Sequence, residues 1–126
     1  MRAHAIIYCI NPEVMTHFYR AVMQLSDAQH PHRVYSETWQ IEFVQIPAEY
    51  AADIQLTSPP TPRDETPIKL SFAVDDIAIA REIADLHGGA VSGLDHEWHY
   101  EGYAFCNGVD PEGNVFQIFS KAPAVE

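Results

Sequence analysis

Apolar residues fall along this chain in two rhythms: short runs suited to strands, and longer stretches spaced as on one face of a helix. Ala3 to Ile10 is a continuous apolar run with β-branched and aromatic members, which predicts a strand covered on both faces. Asn11-Pro12 ends it, since Asn11 is a good N-cap and Pro12 belongs at the first helical position. Val14, Phe18, Val22 and Leu25 then recur at the steps of one helical face, predicting the first helix. After a loop rich in His, Pro and Asp, Val34 to Ile46 alternates, with Trp39, Ile41 and Phe43 on one side and Gln40, Glu42 and Val44 on the other. Two adjoining strands are expected there, and a third near Ala52 to Thr57.

Residues 58–67 break both rhythms, with four prolines in ten positions, and can hold neither helix nor central strand. Beyond this connector the order repeats. Ile68 to Val74 reads as a buried-type strand, Asp75-Asp76 supplies a cap, and Ile79, Ile83 and Leu86 form a helical stripe that stops at Gly88-Gly89. Three strands follow, around Val91 to Trp98, Tyr103 to Gly108 and Val115 to Lys121. The last two are joined by the turn Asp110-Pro111-Glu112-Gly113-Asn114. A shift of 65 residues lays Ile7 on Phe72, the cap Asn11 on the cap Asp76 and Phe18 on Ile83, and puts His4 on Lys69. A shift of 62 lays Ile54-Gln55-Leu56 on Phe116-Gln117-Ile118. Coincidence at core and cap positions suggests two copies of one strand-helix-strand-strand-strand module, each of which would leave a sheet face unburied alone. Module one spans about 1–57 and module two about 68–121, within a single domain over 1–126.

At 126 residues, 47% hydrophobic and 20% charged, the chain has the make-up of a globular protein with its own core. Its net charge of −11 opposes the counterion release that drives non-specific nucleic-acid binding and gives anionic lipid headgroups little to attract. Neither nucleic acid nor a membrane is an expected partner. The start lacks the pattern of a secretory signal and no stretch approaches a membrane span, so a cytoplasmic location is expected. Cys9 and Cys106 stand far apart without metal-knuckle spacing and are expected to be buried free thiols.

Phe18-Tyr19 in the first helix, Phe72-Ala73-Val74-Asp75-Asp76 entering the second, Gly88-Gly89, and above all Val109 to Ile118 resemble the vicinal oxygen chelate superfamily. That superfamily includes glyoxalases, extradiol dioxygenases, methylmalonyl epimerases and fosfomycin- and bleomycin-resistance proteins. The resemblance covers nearly the whole chain. It implies an α+β fold of two tandem βαβββ modules whose mixed sheets curl around a central cavity with helices outside, often completed in a homodimer. Metal-using members place His and carboxylate ligands on four strands, two per module. Carried over, those positions fall on His4, Gln55, Lys69 and Gln117, of which His4 alone agrees.

A protonated Lys has no lone pair to offer, and Gln is a weaker oxygen donor than a carboxylate. His4, Gln55, Lys69 and Gln117 together carry one positive charge where two histidines and two glutamates carry two negative ones. No metal and no other cofactor is therefore expected at these positions. The expected ligand is a small organic molecule with an anionic or strongly polar acceptor group, contacted by His4, Gln55, Lys69 and Gln117, with Trp98 and Tyr100 as aromatic walls. The bland alternative for Lys69 is a salt bridge to Glu42 or Asp53. His96-Glu97-Trp98-His99 resembles a metal motif, but on a strand its two imidazoles point to opposite faces. Two other functions compete: a metal-dependent lyase, isomerase or dioxygenase whose ligands are His4 with His96 or His99 and a Glu, and a dimeric interaction module filled by its own Trp39, Trp98, Tyr100, Tyr103 and Phe105. No catalytic residue is assigned.

Overall fold

In chain order, the computed structural model forms β1 (Ala3–Cys9), α1 (Pro12–Val22), β2 (Arg33–Tyr35), β3 (Trp39–Gln45), α2 (Ala48–Ala51) and β4 (Ser71–Ala73). Then come α3 (Ile77–Leu86), β5 (Ala90–Val91), a 3₁₀ turn at Leu94–His96, β6 (Trp98–Tyr100), β7 (Tyr103–Val109) and β8 (Val115–Lys121). The structure describes residues 2–25 and 30–122. Both expected caps form. Asn11 Oδ1 accepts from the Val14 amide at 3.2 Å, and Asp76 Oδ1 accepts from the Ala78 and Ile79 amides at 2.8 and 3.2 Å.

Two mixed sheets result. The first has the order β1-β3-β2, with β1 parallel to β3 and β2 antiparallel to it. The second has the order β4-β8-β7-β5, with β4 parallel to β8, while β5 and β6 both pair antiparallel with β7. Each half thus centres on a parallel pair, which needs a crossover, and the capped helix lies within that crossover. The chain is α+β with two mixed sheets and three α-helices among the described residues, and its sheets do not close into a barrel.

Several expectations need correction. Ala52 to Thr57 is not a strand: after Pro47 the chain enters α2, and the amides of Ala52, Asp53 and Ile54 donate back to carbonyls of residues 48–51, so they are spent in turns. The stretch Val91 to Trp98 is broken by the 3₁₀ turn, and β5 and β6 share β7 on either side of it. Ile68 lies outside β4 and is 70% exposed. β1 is covered on one face only, with Cys9 buried while Ile6 and Tyr8 lie open. The helical faces are rotated from those expected. α1 buries Met15, Phe18, Tyr19 and Val22 and leaves Val14 exposed, and α3 buries Ile77, Ala80 and Ala84 and leaves Ile79 and Leu86 exposed. Small residues on that face of α3 let it lie close to α1, which is why alanines rather than the bulkier stripe are inside.

One hydrophobic cluster joins both halves, and Tyr19 is central to it. Its ring lies 5.5 Å from Phe43 of the first sheet and 5.9 and 5.6 Å from Phe72 and Phe116 of the second. Its hydroxyl donates to Asp110 Oδ2 at 2.7 Å, in the turn between β7 and β8. Asp110 is fully buried and also accepts from the amides of Glu112 and Asn114 and from Asn114 Nδ2. Glu112, also buried, accepts from the Ile10 amide at 2.7 Å and the Asn11 amide at 2.8 Å, so a carboxylate of the second half holds the β1–α1 junction of the first. Burial pushes the Asp110 carboxyl up despite its donors, and burial with the Asp110 charge pushes Tyr19 well above its usual value. Cys9 is pushed up to about 12 by burial, with Glu112 and Asp110 adding to it. Both cysteines are free and buried.

Candidate ligand-binding site

Alternation along β7 and β8 turns Ala104, Cys106, Phe116 and Ile118 into the core and leaves Tyr103, Phe105, Asn107, Gln117, Phe119 and Lys121 on the opposite face. On that outer face, register places side chains in rows. Asn107 sits opposite Gln117, and Gln117 opposite Ser71, making one polar row across three strands. Trp98, Phe105 and Phe119 make the adjoining aromatic row, and Tyr100, Tyr103 and Lys121 the next. The Trp98 and Phe105 rings stack at 5.7 Å and 13°, while Phe119 contacts Phe105 and Tyr103 at 5.8 Å.

Lys69, just before β4, extends over this face. Its Nζ donates to Asn107 Oδ1 at 3.1 Å and lies 5.8 Å from the Trp98 ring centroid. Among the described residues no carboxylate lies within ion-pair distance of it, so the expected alternative of a bridge to Glu42 or Asp53 is not what the structure contains. Gln117 Nε2 donates to Ser71 Oγ at 2.8 Å. After these bonds the row still has N–H groups on Lys69 and Asn107 and the Ser71 hydroxyl proton to offer. Asn107, Ser71 and Phe119 carry no local signal in the sequence, because their relation to Lys69 depends on strand register.

The first sheet's outer face is different. His4, Ile6 and Tyr8 lie beside Gln40, Glu42 and Val44, and Arg33 is in register with Glu42. Arg33 donates to Glu42 Oε1 at 2.9 Å and holds that carboxyl below its usual range. Gln55 is brought to neither face. It lies in the loop after α2, in a recess with Pro60, Arg63, Pro111 and Glu112. Near His96, the chain turns Glu97 inward to pair with Arg81 at 2.6 Å, while His96 stays exposed beside Asp95. Between the β1 edge and residues 66–70 runs a mainly apolar cleft of about 340 Å³, lined by Ile6, Tyr8, Tyr19, Ile68 and Phe116 among others.

No known family profile matches the sequence, and no curated protein matches it. Solved structures do. A glyoxalase/bleomycin resistance protein from Albidiferax ferrireducens T118 is 16% identical, with 94% of this chain and 97% of that one covered and a TM-score of 0.64. A glyoxalase/bleomycin resistance protein/dioxygenase family enzyme from Burkholderia phytofirmans PsJN gives 19%, 94%, 97% and 0.64. Fosfomycin resistance protein FosX from Mesorhizobium loti gives 12%, 97%, 92% and 0.59. The chain has the glyoxalase/bleomycin-resistance fold. The vicinal oxygen chelate resemblance seen in the sequence holds at the level of that fold.

Within this fold the register revises one position. The last strand of the first half, parallel to β1, is β3 rather than residues 52–57. Ile6 pairs with Glu42 as Ser71 pairs with Gln117, and the shift of 65 that aligns the halves lays Ile6 on Ser71, so Glu42 and not Gln55 is the counterpart of Gln117. The four positions become His4, Glu42, Lys69 and Gln117. Two suit a divalent ion and two do not: an ammonium repels it, and a carboxamide neutralises none of its charge. Glu42 is engaged by Arg33, and among the described residues no group of three His, Cys, Asp or Glu side chains could hold an ion. The donor set does not fit the metal that the fold's metal-using members hold. No helix among the described residues is long and apolar enough to cross a membrane.

Proposed function

We propose that this chain binds a small organic molecule bearing an anionic or strongly polar acceptor group, on the outer face of its second sheet, with Lys69 in place of a divalent ion. The observation that carries this reading is the ammonium of Lys69, held by Asn107 and the Trp98 ring without a carboxylate partner among the described residues. In an acidic chain with two lysines, a cation so placed favours an anionic group. The fold's neighbours include proteins named for bleomycin and fosfomycin resistance and an oxidase. We favour sequestration, since among the described residues the side-chain hydrogen-bond partner of Lys69 is a carboxamide rather than an acid or a base. The test is analysis of tag-free, dialysed protein for metal and for co-purified small molecules. The expected outcome is far less than one divalent ion per chain, with any retained compound anionic and lost in Lys69→Met; one tightly held ion per chain overturns the reading.

That ion would support a second reading, a metal-dependent enzyme, which the register correction favours by returning Glu42 to the side of His4. A homodimer is also proposed, on the strength of Ile6, Tyr8 and Ile68, all more than half exposed around the apolar cleft. Sedimentation should show a dimer at micromolar concentration, and a strict monomer there removes the proposal.

A further inference from the structure

The outer face of the second sheet is ordered in rows, and that order bears on the shape of the ligand as well as its charge. We infer that the ligand is a planar aromatic carboxylate, its rings laid on the Trp98, Phe105, Tyr103 and Phe119 shelf and its carboxylate on the row of Lys69, Asn107 and Ser71. This rests on the proposed binding function and narrows it. Trp98 is 39% and Tyr103 43% exposed, so ring surface remains for a second aromatic to cover. Trp98 and Phe105 stack nearly parallel at 13°, Phe119 is tilted by 35° to Phe105 and Tyr103 meets Phe119 edge-on at 82°, so the stacked pair is the part of the shelf that a ligand ring can extend.

The spacing suits such a molecule. Rows of one face are two residues apart along a strand, about 7 Å, which matches the span from a carboxylate to the far ring of a fused bicyclic acid. The remaining donors on the polar row come from an ammonium, an amide and a hydroxyl, which suit an oxyanion; the Gln117 carbonyl can accept only from a protonated or hydroxylated substituent. A cationic aromatic would meet Lys69 by repulsion, and a saturated acid would use the polar row while leaving the ring platform without a stacking partner.

Calorimetric titration of the full chain with 2-naphthoate, trans-decalin-2-carboxylate and 2-naphthamide separates these demands. 2-Naphthoate should bind about tenfold more tightly than either the saturated acid or the neutral amide. Trp98→Leu should remove most of the advantage over the saturated acid, and Lys69→Met should weaken both acids about tenfold while leaving the amide unchanged. Equal binding of the two acids, with dependence on Lys69 intact, overturns the aromatic inference and leaves the anion-binding function standing. Acid binding indifferent to Lys69→Met overturns both. No saturable binding of 2-naphthoate also overturns the inference, and metal and extract analysis then decides the function independently.

Discussion

The β7–β8 hairpin carries polar groups at its turn and polar groups halfway along its strands, and the two sets behave in opposite ways. At the turn, Asp110 and Glu112 are buried, and every carboxylate oxygen accepts at least one hydrogen bond. Halfway along, Asn107 and Gln117 lie beside an ammonium with donors left over. The turn is also the segment on which the family resemblance rests most heavily, so that resemblance reports how the two halves are joined. The positions that depart from the family pattern are the open ones. Likeness in one place and departure in the other therefore describe two jobs, holding the fold together and meeting a ligand.

Replacing a group at each place should separate these jobs. Asp110→Ala strands the Tyr19 hydroxyl, the Asn114 amide and two backbone N–H groups, and should cost about 3 kcal/mol of stability in denaturant unfolding. In the remaining folded protein, affinity for 2-naphthoate should hold, and a fall in both would merge the two jobs. Lys69→Met should do the reverse, changing stability by less than about 0.5 kcal/mol because the side chain is exposed, while weakening the acid.

Alkaline pH probes the buried thiols and the Tyr19 hydroxyl rather than the open face. Cys9, Tyr19 and Cys106 are all raised by burial, so the folded state keeps protons that the unfolded chain releases above about pH 9. The unfolded state then binds fewer protons, and stability falls as pH rises, by about 1.4 kcal/mol per pH unit for each group in its window. Unfolding midpoints between pH 8 and 10.5 check this, and Cys9→Ala should make the slope shallower by one group. A flat profile would contradict the buried character of these three groups. The smallest effect belongs to the first sheet, where Glu42→Gln removes a partly exposed ion pair with Arg33 and should leave the unfolding midpoint nearly unchanged.

Much of this plan was legible in the residue order, wherever local chemistry decides. The caps at Asn11 and Asp76, the connector and the bounds of β8 follow from turn residues and alternation. Gln55 misled because two alternating apolar residues in a six-residue window also fit a turn following a short helix, and the amides of that turn were already spent. The exposure of Val14 and Ile79 was hidden because apolar spacing marks a helical stripe without showing which neighbour comes closest. Lys69 stood out in the sequence as a lysine within a strand-like run. Trp98 stood out as an aromatic wall, but its contact with the ammonium did not, and Asn107 did not stand out at all, since both lie on other strands and meet Lys69 only through register.

Lys69 and Lys121 are the two lysines of the chain, which makes the central claim open to a direct reading. Side-chain NMR of the lysine Cε groups, followed while 2-naphthoate is added, should show one resonance moving saturably, identified as Lys69 by its loss in Lys69→Met, with Lys121 moving little. A Lys69 resonance that stays fixed while the acid binds would contradict the account.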